Sequence, residues 1–177
     1  MAEATSTAFP VRTWGRSGTA LARAGQRFVA TRAGSWVVRT MVPFDRWLLL
    51  RSKGRFTALG PFGIPMLVLT TTGSRSGRPR TTPLVCLPDG DAVWVAGSNF
   101  GLQRHPAWSG NLLAHPEATV AVGGQTIPVL ARLLDGAARQ RAWEQFVAVG
   151  GPYRVYASRT DRTIRVFALT RRDDERG

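Results

Sequence analysis

Short apolar runs separated by turn residues fill the chain from residue 64 onward. Each run is five to ten residues long and rich in valine, leucine and threonine, a composition typical of β-strands. Asp-Gly and Gly-Gly pairs between consecutive runs indicate hairpin turns. The six predicted strands are residues 64–72, 81–87, 92–98, 118–122, 125–134 and 163–169.

Two helical segments interrupt these strands. His105-Pro106 predicts a helix start, because proline is favoured in the first turn, and His115-Pro116 predicts its end, because proline cannot continue a helix. Residues 136–150 place apolar side chains on one side and arginines on the other, which predicts an amphipathic helix. The pattern predicts an α+β, mainly β fold: a six-stranded antiparallel barrel with flanking helices rather than a doubly wound sheet.

Composition supports one ordinary globular domain. The 177 residues are 44% hydrophobic, and no apolar run reaches the ~20 residues that a membrane-spanning helix requires. Cys86 is the only cysteine, which excludes an internal disulfide, and two histidines argue against a metal site. A single cysteine also fits a reducing cytoplasm, which is the location we expect.

Positive charge is concentrated at the N-terminal end. The chain has 24 basic and 11 acidic residues, a net charge of +13, and residues 1–60 hold ten of the basic and two of the acidic residues. Four arginines share one side of a predicted helix: Arg12, Arg16, Arg23 and Arg27. We therefore predict a basic N-terminal arm, helical or partly disordered, over residues 1–42, a barrel domain over 43–170 and a charged tail over 171–177.

Three roles for the arm stay open at this point. Basic and aromatic residues together suit an anionic membrane surface. Residues 1–40 would then bind the inner face of the cell membrane. Alternatively, the arm packs on its own domain or on a partner subunit, or it is a targeting segment. Nucleic-acid binding ranks lowest, because only the net charge supports it and the densest charge lies outside the barrel. We expect no nucleic-acid partner.

Several enzyme classes are excluded by their missing motifs. The segment 73–77 resembles a nucleophile elbow, but Arg75 stands where a serine would be required. The chain has neither a Walker phosphate loop nor a Rossmann glycine fingerprint, and its sparse acidic residues form no evident catalytic pair. A reaction carried out by this chain would therefore need a bound cofactor.

Four ordered motifs resemble the deazaflavin-dependent nitroreductase family: TTTGSRSGRPRTTPL (70–84), GSNFGLQRHPAW (97–108), NLLAHPEATV (111–120) and YRVYASRTDRTIRV (153–166). The resemblance covers residues 43–170 and implies a split β-barrel related to the FMN-binding reductases. It also implies hydride transfer from reduced coenzyme F420 to a quinone, a nitroaromatic compound or another activated acceptor, a hydrophobic or aromatic small molecule. The alternatives are an FMN-binding barrel and a cofactor-binding module without turnover.

The resemblance assigns the anionic end of F420 to the arginine-rich stretch. Arg75, Arg78 and Arg80 would bind its phosphate and carboxylates, while Ser76 and Gly77 would add hydroxyl and backbone donors. The flat ring would lie against four residues of the second strand: Thr82, Pro83, Leu84 and Val85. Because proline within a strand requires an edge or a bulge, Pro83 predicts that a ligand takes the place of a neighbouring strand here.

The resemblance also assigns the acceptor side. Ser98 and Asn99 belong to a loop over the ring, where Ser98 donates to the ring or the substrate, and Phe100 replaces a glycine usual in the family. Tyr153 and Tyr156 would close the acceptor pocket as a mobile lid and donate a proton or hydrogen bond. The predicted catalytic residues are therefore Tyr156, Tyr153 and Ser98, with no metal ligand. Trp108 is either a core residue or part of the pocket wall, and Asn111 either belongs to the site or simply caps or packs.

Overall fold

Six antiparallel strands close into a barrel in the computed structural model, which describes residues 9–11, 28, 31–52, 65–149 and 152–172. The strands are β1 (Met66–Thr72), β2 (Pro79–Asp89), β3 (Ala92–Ala96), β4 (Glu117–Val122), β5 (Gln125–Leu133) and β6 (Val166–Arg171). Around the barrel their order is β1, β2, β3, β6, β5, β4, so that β1 pairs with both β2 and β4. The predicted six-stranded antiparallel barrel is confirmed.

Among the described residues, four α-helices flank the barrel: α1 (Arg32–Arg51), α2 (Ala107–Ala114), α3 (Gly136–Val149) and α4 (Pro152–Ser158). The helices predicted after His105 and over residues 136–150 are α2 and α3. Several strand boundaries are corrected by two or three residues: β6 begins at Val166 rather than at residue 163, and β3 ends at Ala96 rather than at residue 98. The residues before β6 instead form hydrogen bonds to the loop that follows β3.

The barrel interior is filled by alternate strand residues, since successive side chains point to opposite faces. Leu67 of β1 and Phe167 of β6 are buried there, and Trp108 and Leu112 of α2 belong to the same cluster. The Trp108 and Phe167 rings lie 5.7 Å apart. Helix α2 therefore packs its buried side on the barrel interior, and Trp108 is a core residue. Full burial of each such side chain contributes about 1.5–3 kcal/mol.

Helix α3 covers an outer face of the barrel. Ala142 and Phe146 are buried and pack with Trp94 of β3 and Val166 of β6. The amphipathic pattern predicted the burial of Ala142 and Phe146 correctly, whereas Val149, on the same predicted side, is exposed. Helix α4 follows α3 and contacts both α3 and the turn after β3. This arrangement brings the tyrosines of α4 close to that turn.

Helix α1 lies against β1 and β2. The division predicted between residues 42 and 43 falls inside this helix, and Arg12, Arg16, Arg23 and Arg27 lie outside the described residues. Three large aromatic side chains of α1 are exposed: Trp36 (61%), Phe44 (57%) and Trp47 (57%). Their spacing places them on one side of the helix, and the Phe44 and Trp47 rings stack at 6.1 Å. None of the described helices is long and apolar enough to cross a membrane.

Candidate active site

The sheet splits beside β2. Residues 79–85 pair with β1, whereas pairing between β2 and β3 covers only residues 86–89. Strand β3 ends at Ala96, so residues 79–85 have no strand on that side within the described ranges. Extending the same register would place Gly97 opposite Leu84 and Ser98 opposite Pro83. Residues 79–85 and the turn 97–101 thus border what we call the sheet split, and Pro83 lies on the one-sided stretch, as expected for proline in a strand.

The hairpin loop between β1 and β2, residues 73–78, is held by its own backbone. The Gly73 carbonyl accepts hydrogen bonds from the Ser76 and Gly77 N–H groups at 3.1 and 2.8 Å, and the Gly73 N–H donates to the Arg78 carbonyl at 2.9 Å. Gly77 has a φ of 62°, a conformation that glycine adopts without a Cβ penalty. The loop itself therefore uses the N–H groups of both Ser76 and Gly77, and the Ser76 hydroxyl accepts a hydrogen bond from the Arg78 N–H at 3.4 Å. The contacts of Ser76 and Gly77 with F420 stay predictions.

The arginines predicted to bind F420 project from this loop and from the first residues of β2. Arg75, Arg78 and Arg80 are all exposed. None of their guanidinium groups forms a hydrogen bond or ion pair within the part of the chain that the structure describes. Three unpaired cations on a backbone of fixed shape are well suited to phosphate or carboxylate, which guanidinium groups bind through paired hydrogen bonds.

Asn111 of α2 anchors this loop, a role that sequence reasoning missed. Its Oδ1 accepts a hydrogen bond from the Ser74 N–H at 3.0 Å, and its Nδ2 donates to Thr71 Oγ1 at 2.9 Å. Both Asn111 and Thr71 are buried. Because buried polar groups require partners, one amide side chain joins the arginine-bearing loop to the helix that packs on the barrel interior.

The turn after β3 has an unusual backbone. Asn99, Phe100 and Gly101 follow one another with φ of 46°, 56° and 77°. This region costs residues other than glycine about 1–2 kcal/mol each. The Asn99 side chain donates to the Arg104 carbonyl at 2.9 Å, while a Cβ on Gly101 would lie 2.7 Å from the Tyr156 carbonyl oxygen. The turn therefore presses directly against α4.

Arg162, also missed by sequence reasoning, lies in the segment that precedes β6 and binds the loop 97–105. Its guanidinium donates to three carbonyl oxygens of that loop: Leu102 at 2.9 Å, Gly97 at 3.1 Å and Ser98 at 2.8 Å. It also lies 3.1 Å from His105 Nδ1. Since a guanidinium can only donate, Nδ1 is the acceptor and neutral His105 carries its proton on Nε2. Burial, Arg165 and Arg162 lower the pKa of His105, which favours that neutral form.

The two predicted tyrosines have different surroundings. Tyr156 is buried, and its ring lies 5.7 Å from the Phe100 ring and 6.2 Å from the Tyr153 ring. Tyr153 instead packs between α3 and the barrel, with the Phe146 ring at 5.1 Å and the Trp143 ring at 6.0 Å. Burial, Tyr156 and Cys86 raise the pKa of Tyr153. Tyr156 thus contacts Phe100, a residue that borders the sheet split, whereas the contacts of Tyr153 are those of a packing residue.

An open cleft of about 480 Å³ lies between α3 and α4, with Trp143, Val147 and Ala157 among its lining residues. None of the residues predicted for the site lines it. Its volume falls within the range of small-molecule sites, about 300–1,000 Å³. The unpaired arginines and the one-sided stretch of β2 lie at the sheet split instead.

A family model, F420H(2)-dependent quinone reductase, matches residues 44–171. The chain belongs to this family. It is accordingly an oxidoreductase whose cofactor is coenzyme F420. Of the two cofactors that the sequence left open, F420 and FMN, family membership supports F420. The matched range contains the barrel, the arginine-bearing loop, the turn after β3 and α4.

Named relatives agree with this membership. The chain is 38% identical over 125 residues to an F420H(2)-dependent quinone reductase of Mycobacterium tuberculosis, covering 68% of this chain and 83% of the relative. It is 34% identical to a solved F420-H2 dependent reductase, with a TM-score of 0.55 over 59% of this chain and 92% of that one. A solved domain-swapped dimer is 30% identical, with a TM-score of 0.56 over 77% of this chain and 98% of that one.

The residues at the sheet split fit an elongated anionic cofactor. The exposed arginines have no protein partner in the described ranges. Guanidinium groups in this state are available to the phosphate and carboxylate groups of a cofactor that lies along β2.

Proposed function

We propose that the protein reduces quinones at the sheet split, with the anionic part of F420 on Arg75, Arg78 and Arg80. The observation that carries this proposal is a row of guanidinium groups without partners among the described residues. The row leads into a stretch of β2 that pairs with β1 but has no described strand on its other side. Arg80 and Leu84 are four residues apart on β2, about 13 Å at 3.3 Å per residue. An elongated ligand with a charged tail and a flat head matches that spacing.

The ring end of F420 lies against residues 82–85 in this proposal. Leu84 packs on the barrel interior and Val85 on the outer clusters, so their side chains are engaged in packing. On the side away from β1, the backbone of this stretch has no neighbouring strand among the described residues. Its N–H and C=O groups on that side are offered to the heterocycle instead. Thr82 and Asn99 lie on opposite borders of the split, where each can contribute a polar side chain.

In this proposal the acceptor lies at the sheet split beside the turn 97–101, near the point where the Phe100 ring meets Tyr156 of α4. Bound F420H2 supplies the hydride. The Ser98 and Tyr156 hydroxyls donate hydrogen bonds to the acceptor oxygen on which negative charge develops, and the loop holds them in position before the reaction. Phe100, packed against Tyr156, narrows the space to flat acceptors. Nitroaromatic compounds share the flat, electron-poor character of quinones and form a second acceptor class.

Binding and turnover test this function separately. Fluorescence titration gives the affinity for F420, which we expect to exceed the affinity for FMN, and steady-state assays measure reduction of a quinone and of a nitroaromatic compound. Ser98→Ala and Tyr156→Phe each remove one hydrogen bond, about 1–3 kcal/mol, with little change in F420 affinity. Tyr153→Phe is the matched control, and its effect is expected to be smaller. Full activity of the Ser98→Ala, Tyr156→Phe double variant would contradict the acceptor assignment.

The N-terminal region places the enzyme on anionic membranes in this proposal, near hydrophobic acceptors. Support comes from the exposed aromatic side of α1, with Trp36, Phe44 and Trp47, and from the basic residues over 1–40. The aromatic side chains would insert into the membrane interface, and each basic residue near an anionic surface would add roughly 1 kcal/mol of binding free energy. Full-length protein is expected to sediment with anionic liposomes, less so as salt rises. Trp36→Ser with Trp47→Ser would weaken sedimentation but leave F420 affinity unchanged; no sedimentation of the parent protein at low salt would refute the idea.

A further inference from the structure

Arg162 stands in an environment unusual for an arginine. It is partly buried, and no carboxylate pairs with it in the described part of the chain. A poorly solvated cation without an acidic partner is costly unless hydrogen bonds compensate. All the acceptors it uses belong to one short loop: the carbonyls of Gly97, Ser98 and Leu102 and the ring of His105. All four hydrogen bonds that this guanidinium forms with described residues are thus directed at the loop beside the sheet split.

The bonds are placed where the loop needs support. Ser98 and Leu102 directly flank the three left-handed residues 99–101, and Arg162 binds the carbonyl on each side of them. A planar guanidinium can reach both sides at once, whereas a lysine ammonium has no such fork. Because left-handed residues other than glycine are strained, this turn requires contacts from outside itself to persist. Arg162 supplies them.

The residues around Arg162 form a wider attachment to the same loop. The Gly97 N–H donates to the Arg165 carbonyl at 2.8 Å, and the Thr160 hydroxyl donates to Gln103 Oε1 at 3.0 Å. The Arg165 side chain reaches the buried Ser109 hydroxyl of α2 at 3.4 Å. The segment 160–165 therefore follows the loop from its start into α2, and Arg162 makes most of these contacts.

We propose that Arg162 is the positioning residue for the acceptor side of the site, where it holds the Ser98-bearing loop in its productive shape without taking part in F420 binding. This inference rests on the proposed function for its link to quinone reduction. Misplacement of a reacting group by about 1 Å can cost about a hundredfold in rate, so loss of the support is expected to act on turnover. The arginines of loop 73–78 are anchored separately through Asn111, so F420 affinity is expected to persist.

The experiment compares Arg162→Ala and Arg162→Lys with Arg104→Ala in the full-length protein. Arg104 lies in the same loop but is exposed, and its side chain has no partner in the described ranges, which makes it the matched control. We expect kcat for the quinone to fall about a hundredfold in Arg162→Ala, with F420 affinity within about twofold of the parent. Added guanidinium ion, below denaturing concentrations, is expected to restore part of the activity of Arg162→Ala but not of Arg162→Lys. Arg104→Ala is expected to match the parent.

Hydrogen exchange of the ligand-free protein provides a readout that does not depend on turnover. In both Arg162 variants the backbone amides of residues 98–105 are expected to exchange faster, while those of β1 and β2 remain unchanged. Arg162→Lys keeps the charge, so it covers the case in which the alanine variant fails to fold. Unchanged exchange of the loop, or an F420 affinity that falls as far as turnover does, would overturn the inference. A parent protein that binds F420 but reduces no quinone would instead overturn the proposed function.

Discussion

Arginines of two kinds border the sheet split, and they differ in what they bind. Arg75, Arg78 and Arg80 are exposed and have no partner in the described part of the chain, whereas Arg162 is partly buried and bound to three loop carbonyls and a histidine. The first group is free to bind an anionic ligand. Arg162 is already committed to the protein and shapes the loop. In our proposals the same side chain therefore serves ligand binding at one border of the split and positioning at the other.

Charge reversal at Arg75 and Arg80 is expected to have the largest effect, because it removes the proposed ligand-binding role of the exposed arginines. Arg75→Glu with Arg80→Glu removes two charge-assisted hydrogen bonds, each about 1.5–3 kcal/mol, and adds repulsion toward the anionic cofactor. We expect F420 affinity to fall at least about a hundredfold in fluorescence titrations, with an unchanged melting temperature. Arg132→Glu with Arg154→Glu changes the net charge equally at exposed positions away from the loop. Equal affinities in the two double variants would reject the assignment.

Removing the anchor of the arginine-bearing loop tests whether its fixed shape matters. Asn111→Ala leaves the Ser74 N–H and the Thr71 hydroxyl without the amide, which costs about 1–3 kcal/mol of stability. Urea unfolding measures that loss, and F420 titration is expected to show a weaker effect than charge reversal. Leu113→Ala, on the exposed side of the same helix, is the control. Parent-like F420 affinity in a clearly destabilised Asn111→Ala variant would mean that the arginines bind without preorganisation.

Phe100 permits a milder change at the other border. Phe100→Gly relieves left-handed strain of about 1–2 kcal/mol but removes the ring contact with Tyr156, worth about 0.5–1.5 kcal/mol. The free energy of unfolding is therefore expected to change by less than about 1 kcal/mol, while bulkier acceptors gain activity relative to small ones. Phe100→Leu keeps the strain and loses the ring, so it separates the two effects. An identical acceptor range in all three proteins would show that Phe100 does not border the pocket.

Titration of His105 is expected to have the smallest effect, a change in the free energy of unfolding with pH whose direction is fixed by the pKa. Its pKa is lowered from 6.5 in the folded protein, so the unfolded chain binds more protons below that pH. The free energy of unfolding is expected to be constant above about pH 6.5 and to decrease as pH falls below it, while protonation also removes the acceptor for Arg162. His105→Asn keeps an acceptor without the titration and is expected to flatten this dependence in urea unfolding between pH 5 and 7. An equal slope in both proteins would contradict the assignment.

Local signals in the sequence were enough for the strands and for the arginine-bearing loop. Hairpin turns and short β-rich runs depend on neighbouring residues, and an arginine cluster such as that of 75–80 is visible directly. The roles of Asn111 and Arg162 were not visible, because their partners lie 37 to 65 residues away and most are backbone groups with no residue type of their own. One signal was present: both residues fall inside the motifs that carried the family resemblance.

Tyrosine spacing was a less reliable guide. Tyr153 and Tyr156 are three residues apart, the spacing of neighbours on a helix, and their rings lie 6.2 Å apart on α4. The sequence could not show that Tyr153 packs against Trp143 and Phe146 of α3, because that contact depends on how the two helices meet. Their roles in catalysis stay predictions, and the Tyr153→Phe control separates them.

The position of Cys86 bears on chemical durability. Quinones are electrophiles that alkylate thiolates, so an enzyme that handles them exposes its own cysteines to damage. The only cysteine of this chain lies in the barrel interior with no exposed surface, and burial raises its pKa to about 12. The thiol is therefore both out of reach and protonated, and the folded protein presents no thiolate to the quinones that we propose as its substrates.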